Sequence, residues 1–359
     1  MDNKKRLMTG NEAMAEGAIQ AGCKFYAGYP ITPQNELTTY MANRLPQVGG
    51  IFIQAESELS AINMVLGASA GGARTMTSSS SPGISLMQEG ISYLAGCELP
   101  CVIVNVMRGG PGLGNIAPSQ SDYFQATKGG GHGDYRCIVL APSSVQEAFD
   151  FMGLGFDLAE RYRNPVIILA DGMLGQMMEP IKFSDKNQIY TRTQKLKTKN
   201  WILTGCKNRK PRLIKSFYIK EGDLEKFNLK LQEKYKTIQA NEFRFESLNL
   251  EDAKIILVGY GTMARILKQI VFKLRKRGKK IGLIRIITLW PFPVNIFRKL
   301  TEQKNKKPVF LVVEMSYGQM LEDVKLAIAG KARVEFLGRA GGGIPTEEEI
   351  VKKIRKIEY

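Results

Sequence analysis

Short strand-like runs, most of them rich in valine and isoleucine, recur along this chain, and most are followed by a helix-like stretch. "KFYAGY", "GIFIQ", "RTMTSSS", "CVIVNVM", "CIVLAP" and "PVIILAD" read as strands between residues 24 and 171. Strands this short, with apolar residues on both faces, need helices over both sides, the condition of a parallel sheet in a doubly wound α/β fold. "NEAMAEGAIQAG", "PQNELTTYMANRL", "ELSAINMVLGASAGG", "GISLMQEGISYLAG" and "SSVQEAFDFMGLGFDLAERY" supply those helices. The alternation fades into a Lys-rich stretch and returns from Ala253 with "AKIILVGYG", "KIGLIRIITL", "PVFLVVEM" and "VEFLGRAG" as strands. The reading is a first α/β domain over 1–185, a basic inter-domain segment over 186–250 and a smaller α/β domain over 251–359.

Composition narrows the function. The chain has 359 residues, 44% hydrophobic and 24% charged, which suits a folded protein of about two domains. The start, "MDNKKRLMTGNEAMAEGA", follows its basic residues with no apolar run and so does not read as a secretory signal. "CVIVNVM" and "IILVGYG" are too short to span a bilayer, and a cytoplasmic chain without membrane contact is the expectation. Cys23, Cys97, Cys101, Cys137 and Cys206 are scattered, which argues for free thiols. There is no CxxC pair, and His132 is the single histidine. Zinc and cysteine-ligated iron–sulfur sites need donor sets that this sequence lacks, so no metal ligand is assigned. The net charge of +17 raises nucleic acid as a partner, but no recognisable binding motif accompanies it and the cations gather away from the glycine-rich loops. No nucleic-acid partner is expected.

Some motifs carry the shape of a site without its chemistry. "GASAG" (Gly67 to Gly71) matches a nucleophile elbow, but Ser69 falls near the end of a helix and reads as helix packing. "VGYGTMA" (Val258 to Ala264) follows a strand and opens a helix like a dinucleotide fingerprint. The next strand brings Arg285 and Thr288 but no acid for a ribose, so a tight strand-to-helix turn is the reading and an NAD-linked dehydrogenase the alternative.

Other motifs converge. In "AESELSAINMVLGASAGGARTMTSSSS", Glu56 and Glu58 fall in the first turn of a helix, where the dipole favours acids, and nothing else ionises until Arg74. In "GYPITPQ", Thr32 and Pro33 read as a helix N-cap with proline at the first helical position, at a strand's carboxyl end. In "NVMRGGPGLGNIAPSQSDYFQ", Arg108 stands where a strand gives way to a glycine-rich loop, a good receptor for a carboxylate or phosphate. Topology lets Thr32, Glu56 or Glu58, the run Ser78–Ser81 and Arg108 crowd one edge of the sheet.

On "GYPITPQ", "SELSAINMVLGASAGGARTMTSSSSPGISLMQE", "RGGPGLGNIAPSQSDYFQATKGGGHGDYR", "LWPFP" and "EMSYGQM" the chain resembles the α subunit of the 2-oxoacid:ferredoxin oxidoreductases, on the branched-chain (2-oxoisovalerate) side, with the 2-oxoglutarate enzymes next. The resemblance implies a thiamine-diphosphate pyrimidine-binding domain followed by a transketolase C-terminal-like domain. It implies Glu58 as the catalytic glutamate, Thr32 and Arg108 as substrate-binding residues, and Pro30, Ile31 and Glu58 as cofactor-binding residues. Glu58 would bond the pyrimidine ring nitrogen and favour the imino tautomer, whose nitrogen takes the thiazolium proton. The cofactor's diphosphate, its Mg2+ and a [4Fe-4S] cluster would sit on a β subunit, with a γ subunit and a small ferredoxin-like δ chain completing the enzyme. Coenzyme A collects the acyl group, and ferredoxin takes the electrons. From Lys186 to Lys220 eleven Lys and Arg occur with no Asp or Glu. They are either a solvated excursion or an attractor for an acidic partner, ferredoxin or another subunit.

Overall fold

The computed structural model describes residues 5–183, 200–302 and 307–358. The boundary at 185/186 and the cations Lys186, Arg192, Lys195, Lys197 and Lys199 lie outside the described residues. Strand β1 (Lys5–Thr9) leads into helix α1 (Gly10–Gln20) through a capping box. Glu12 N–H meets Thr9 Oγ1 at 3.2 Å, and Thr9 N–H returns to the Glu12 carboxylate at 3.0 Å. β2 (Phe25–Gly28), α2 (Asn35–Arg44), β3 (Ile51–Gln54), α3 (Glu58–Ala70), β4 (Thr75–Ser79), α4 (Ser81–Gly96) and β5 (Cys101–Met107) follow. β6 (Ile138–Leu140), α5 (Val145–Tyr162), β7 (Pro165–Asp171), the short α6 (Gly172–Gln176) and β8 (Met178–Lys182) close the first part. β1 and β8 pair antiparallel in a sheet of their own, which the sequence reading missed because both strands are short, largely exposed and lack an apolar run.

The main sheet has seven strands in the order β12-β6-β7-β5-β4-β2-β3. β2 lies parallel to β3 on one side, Phe25 opposite Ile51, and to β4 on the other, Phe25 opposite Thr75. The winding direction therefore reverses at β2, the switch point where doubly wound folds hold their ligands. β4, β5 and β7 are buried along their whole length, as a sheet covered on both faces requires.

After α7 (Asp223–Asn241) and β9 (Phe245–Leu248) come β10 (Ile255–Tyr260), α8 (Gly261–Arg275), β11 (Ile281–Ile286), β12 (Thr288–Trp290), α9 (Val294–Thr301), β13 (Val309–Glu314), α10 (Gln319–Ile328), β14 (Val334–Gly338) and α11 (Glu347–Glu358). A second sheet has the order β14-β13-β10-β11-β9, parallel except for β9. "KIGLIRIITL", expected as one strand, is two. β11 stays in the second sheet, while β12 turns back and pairs antiparallel with β6 at the edge of the first. The break falls at Ile287, whose carbonyl accepts the N–H of Ala141 at 2.9 Å instead of continuing its own ladder. Arg285 reinforces the crossing: nearly buried, it pairs with Glu147 on α5 and, at 3.2 Å, with Glu246 on β9. Among the described residues no helix is long and apolar enough to cross a membrane.

Gln120, fully buried, joins the two sheets. Its Nε2 donates to the Tyr260 carbonyl and its Oε1 accepts the Met315 N–H, each at 3.0 Å. Gln120→Leu orphans both backbone groups, at about 1–3 kcal/mol for each buried unsatisfied group. Urea unfolding is expected to show a loss of about 2–5 kcal/mol, and a loss under about 0.5 kcal/mol would mean that water or a neighbour replaces both bonds.

Candidate active site

Ser57, extended at φ −162 and ψ 165, caps α3 by accepting the Ser60 N–H at 3.2 Å. Glu58 is consequently the first helical residue, and Glu56 lies before the cap rather than in the first turn as expected. Glu56 is exposed and accepts the hydroxyl of Ser60, which with its own N–H holds the carboxyl below its usual range. Glu58 turns inward and is 5% exposed, its Oε1 accepting the Ser79 hydroxyl at 3.3 Å. A Cβ on Gly83 would stand 2.0 Å from Ser79 Oγ and 2.3 Å from Glu58 Oε1. The carboxylate occupies room at the start of α4 that exists only because residue 83 has no side chain. Ser80, the N-cap of α4, makes no side-chain capping bond, and its buried Oγ has no partner.

The expected cap at Thr32 is not observed. Gln34 N–H closes a turn onto Ile31 O at 3.0 Å, and α2 begins only at Asn35. Thr32 is half-buried, its Oγ1 accepting Asn35 Nδ2 at 3.3 Å, with Ile31 half-buried and Pro30 exposed on the same turn. Gln34 points into the protein instead of capping. Its Oε1 accepts the hydroxyls of Ser78 at 2.7 Å and Thr38 at 3.0 Å. Tyr26 Oη lies 2.7 Å from Ser78 and 3.0 Å from Thr38. With both hydroxyl protons given to Gln34, Tyr26 can donate to only one of the two. This cluster pins the turn after β2 to the end of β4.

Arg108 is 6% exposed, and no acid pairs with it among the described residues. Its Nη1 donates to the Thr32 carbonyl and its Nη2 to the Leu113 carbonyl, both at 3.0 Å, while the buried Nε has no partner. The guanidinium thus ties the β2 turn to the glycine-rich loop and keeps an uncompensated positive charge. Its backbone N–H donates to Ser81 Oγ at 3.0 Å. Asp122 accepts the Ser81 hydroxyl at 2.6 Å and Asn105 Nδ2 at 2.9 Å; burial pushes its carboxyl up, and those two bonds resist the push. Asn105 Oδ1, also buried, is unpartnered.

One edge of the main sheet therefore brings together Thr32, Glu58, Ser78–Ser81 and Arg108, while Glu56 stays outside. Sequence reasoning missed Gln34, Gly83 and Asp122 as parts of this edge. For Gln34 a signal existed: Gln34, Leu37, Thr38 and Met41 fall at helical spacing on one buried face. The dinucleotide-like turn is filled rather than open. Gly261, at φ +52, turns beneath Gln120, Asp171 and Pro142, and a Cβ there would lie 3.3 Å from Gln120 Nε2. Among the described residues no group of three or more His, Cys, Asp or Glu is arranged to hold a metal ion.

Residues 16–237 match the family described as pyruvate flavodoxin/ferredoxin oxidoreductase, thiamine diphosphate-binding, and residues 253–350 match its pyruvate:ferredoxin oxidoreductase core domain II. The chain belongs to this family of 2-oxoacid:ferredoxin oxidoreductases. It is 50% identical over 98% of its length to a ketoisovalerate oxidoreductase subunit VorB of Methanothermobacter marburgensis, covering 97% of that protein. It is 38% identical, again over 98% of its length, to a 2-oxoglutarate synthase subunit KorA of Methanocaldococcus jannaschii, covering 99%. Among solved structures, the 2-oxoglutarate:ferredoxin oxidoreductase of Magnetococcus marinus superposes with a TM-score of 0.87 at 28% identity. That match covers 98% of this oxidoreductase chain but only 65% of the solved chain.

Gly83→Ala tests the cradle. The added methyl displaces side chains and no backbone, so the melting temperature is expected to fall by no more than about 5 °C. Turnover of the assembled oxidoreductase is expected to drop at least about tenfold, the effect of pushing a buried carboxylate of the site out of its place. Full activity in Gly83→Ala would show that Glu58 needs no such space.

Proposed function

We propose that this chain carries the pyrimidine side of the thiamine-diphosphate site in a multi-chain enzyme that oxidatively decarboxylates a branched-chain 2-oxoacid to acyl-CoA, passing electrons to ferredoxin. The observation that carries the reading is the buried Glu58 carboxylate beside Ser79, in a cradle that excludes a side chain at residue 83. Three buried polar atoms without partners, Ser80 Oγ, Asn105 Oδ1 and Arg108 Nε, lie along the same edge and fit a polar ligand seated there. Thiamine diphosphate, when bound, supplies the electron sink through which a 2-oxoacid loses carbon dioxide.

Each residue then has a task that its surroundings suit. Glu58 would hold the pyrimidine ring nitrogen by a hydrogen bond, and Ser79 fixes the direction of that carboxylate. Pro30 and Ile31, on the turn after β2, would hold the ring on that side. Arg108 is the receptor for the substrate carboxylate: one N–H of each Nη is committed to a carbonyl, which immobilises the guanidinium and leaves the second hydrogens of Nη1 and Nη2 and the buried Nε for the anion. The Thr32 hydroxyl bonds the same substrate from the facing turn. A β subunit contributes the diphosphate site, Mg2+ and the [4Fe-4S] cluster, with a γ subunit and a small ferredoxin-like δ chain completing the assembly. The name of the 50% identical relative supports ketoisovalerate as substrate, and that of the 38% identical relative makes 2-oxoglutarate the alternative.

The enzyme co-expressed with its partner chains and assayed on a panel of 2-oxoacids tests this reading. Highest kcat/KM is expected for 2-oxoisovalerate, with no turnover by the isolated chain supplied with thiamine diphosphate and coenzyme A. Turnover by the isolated chain would end the divided-site reading. In the assembled enzyme Glu58→Gln should lower kcat by about 10²–10⁴-fold, the range for a positioned proton-transfer group, while Glu56→Gln changes it little. If Glu56 is instead the sensitive residue, the roles are reversed. Arg108→Lys keeps the charge but loses the planar fork, so KM should rise at least about tenfold; unchanged kinetics would remove Arg108 from the substrate site.

A further inference from the structure

Residues 200–222 run without regular secondary structure over the surface, yet the arm is anchored. Trp201 lies under the Arg163 guanidinium, 5.1 Å from its ring centre. Leu203 N–H donates to Ala70 O, at the end of α3, at 2.9 Å. Ile202 fills the space over Gly72, and Arg212 Nη1 donates to the Ile202 carbonyl at 2.8 Å. Ser216 rests against Gly96, at the end of α4. The arm thus lies across the carboxyl ends of the two helices whose amino ends hold Glu58 and Gly83. At 1.5 Å per residue, helices of 13 and 16 residues put it about 20 Å from the site, at the opposite edge of the sheet.

What the arm shows to solvent is unusual. Leu213 is 77% exposed, Phe217 75% and Ile219 85%, and Leu224 and Leu229 at the start of α7 are also exposed. Lys207, Lys210, Lys215 and Lys220 stand exposed between and beside them, in no ion pair among the described residues. A solvated lysine-rich loop accounts for the cations. It does not account for three large apolar side chains held outward within seven residues, on a segment fixed by its own hydrogen bonds.

We infer that this arm is a permanent docking surface for an acidic partner chain of the same enzyme, one that presents an apolar groove rimmed with carboxylates. The apolar residues argue for a stable subunit over a passing electron carrier, since transient redox encounters use small surfaces whereas permanent interfaces bury more apolar area. The lysines set the partner's sign and speed its approach. The inference rests on the multi-chain reading above and adds where a partner sits.

Two variants and one chemical probe test it in the co-expressed enzyme. One variant combines Leu213→Ser, Phe217→Ser and Ile219→Ser; the other combines Lys207→Glu, Lys210→Glu and Lys215→Glu. Every changed side chain is exposed, so circular dichroism and thermal unfolding of the full chain should match wild type. The serine variant should lose a partner chain on gel filtration, and the charge-reversed one should assemble at least about tenfold more weakly at low salt. Cys206, the exposed thiol in the arm, serves as the probe. Its alkylation by iodoacetamide should be at least about tenfold slower in the assembled enzyme than in the isolated chain. Both variants assembling like wild type, with Cys206 equally reactive in both forms, overturns the surface. Normal assembly with slower ferredoxin reduction alone also overturns it, in favour of an electron-carrier site. A wild-type chain that purifies without any partner fails earlier, at the multi-chain reading itself.

Discussion

Parallel strands end on one side of their sheet, and a reversal of winding leaves a gap between the turns that follow the two strands flanking it. Here the reversal is at β2, and that constraint generates the site. The turn after β2 carries Thr32, α3 begins with Glu58 after β3, β4 ends in the serine run, and β5 delivers Arg108. None of these groups is near another in sequence; the sheet alone makes them neighbours. The buried cluster of Tyr26, Gln34, Thr38 and Ser78 then fixes the β2 turn against β4. A polar cluster satisfied in this way resists local opening, because each bond broken leaves a buried group unpaired.

The second sheet matters to the site through the glycine-rich loop. That loop starts at Arg108 and ends under the second sheet. Gln120 bonds both Tyr260 and Met315, Tyr123 donates to Asp323 at 2.6 Å, and Asn115 donates to the Gly341 carbonyl at 2.9 Å. A loop this rich in glycine would otherwise sample many shapes. Held at both ends, it presents the Leu113 carbonyl that fixes Arg108. Arg285, on β11 and nearly buried, pairs with Glu147 of helix α5, which packs on the first sheet, and with Glu246 of β9 in the second, so sliding between the two would leave its charge uncompensated.

Much of this was legible in the residues and some was not, for physical reasons. Of the covered strands, β5 and β7 announced themselves by continuous runs of Val and Ile, whereas the equally buried β4 is Thr, Met and Ser. β1 and β8 did not announce themselves, being exposed strands with no such run. Glu58 stood out as an acid in an apolar helix and the resemblance chose it over Glu56, but the physical difference between the two, Ser57 taking the cap so that Glu58 turns inward, shows only in the structure. Thr32 and Pro33 have the chemistry of a helix start, yet Gln34, drawn inward by Ser78 and Thr38, delays the helix. The split of "KIGLIRIITL" was invisible because its second half is apolar in either sheet; only the Ile287 carbonyl, spent on Ala141, decides it. Gly83 matters through an absent side chain, which no pattern of residue types reveals.

β12 has a consequence for how the protein is made. The ribosome releases β6 about 150 residues before the strand that covers its edge, a gap set by the positions of Ile138–Leu140 and Thr288–Trp290. Until then the nascent first sheet ends in unpaired N–H and C=O groups, the kind of edge that recruits strands from other chains. The amino-terminal half cannot finish folding by itself during synthesis. Its exposed edge has to wait, or be shielded, while most of the second sheet is still being translated. Severing the gene between the two sheets would therefore yield a first half that exposes an aggregation-prone edge and whose glycine-rich loop has also lost its anchors.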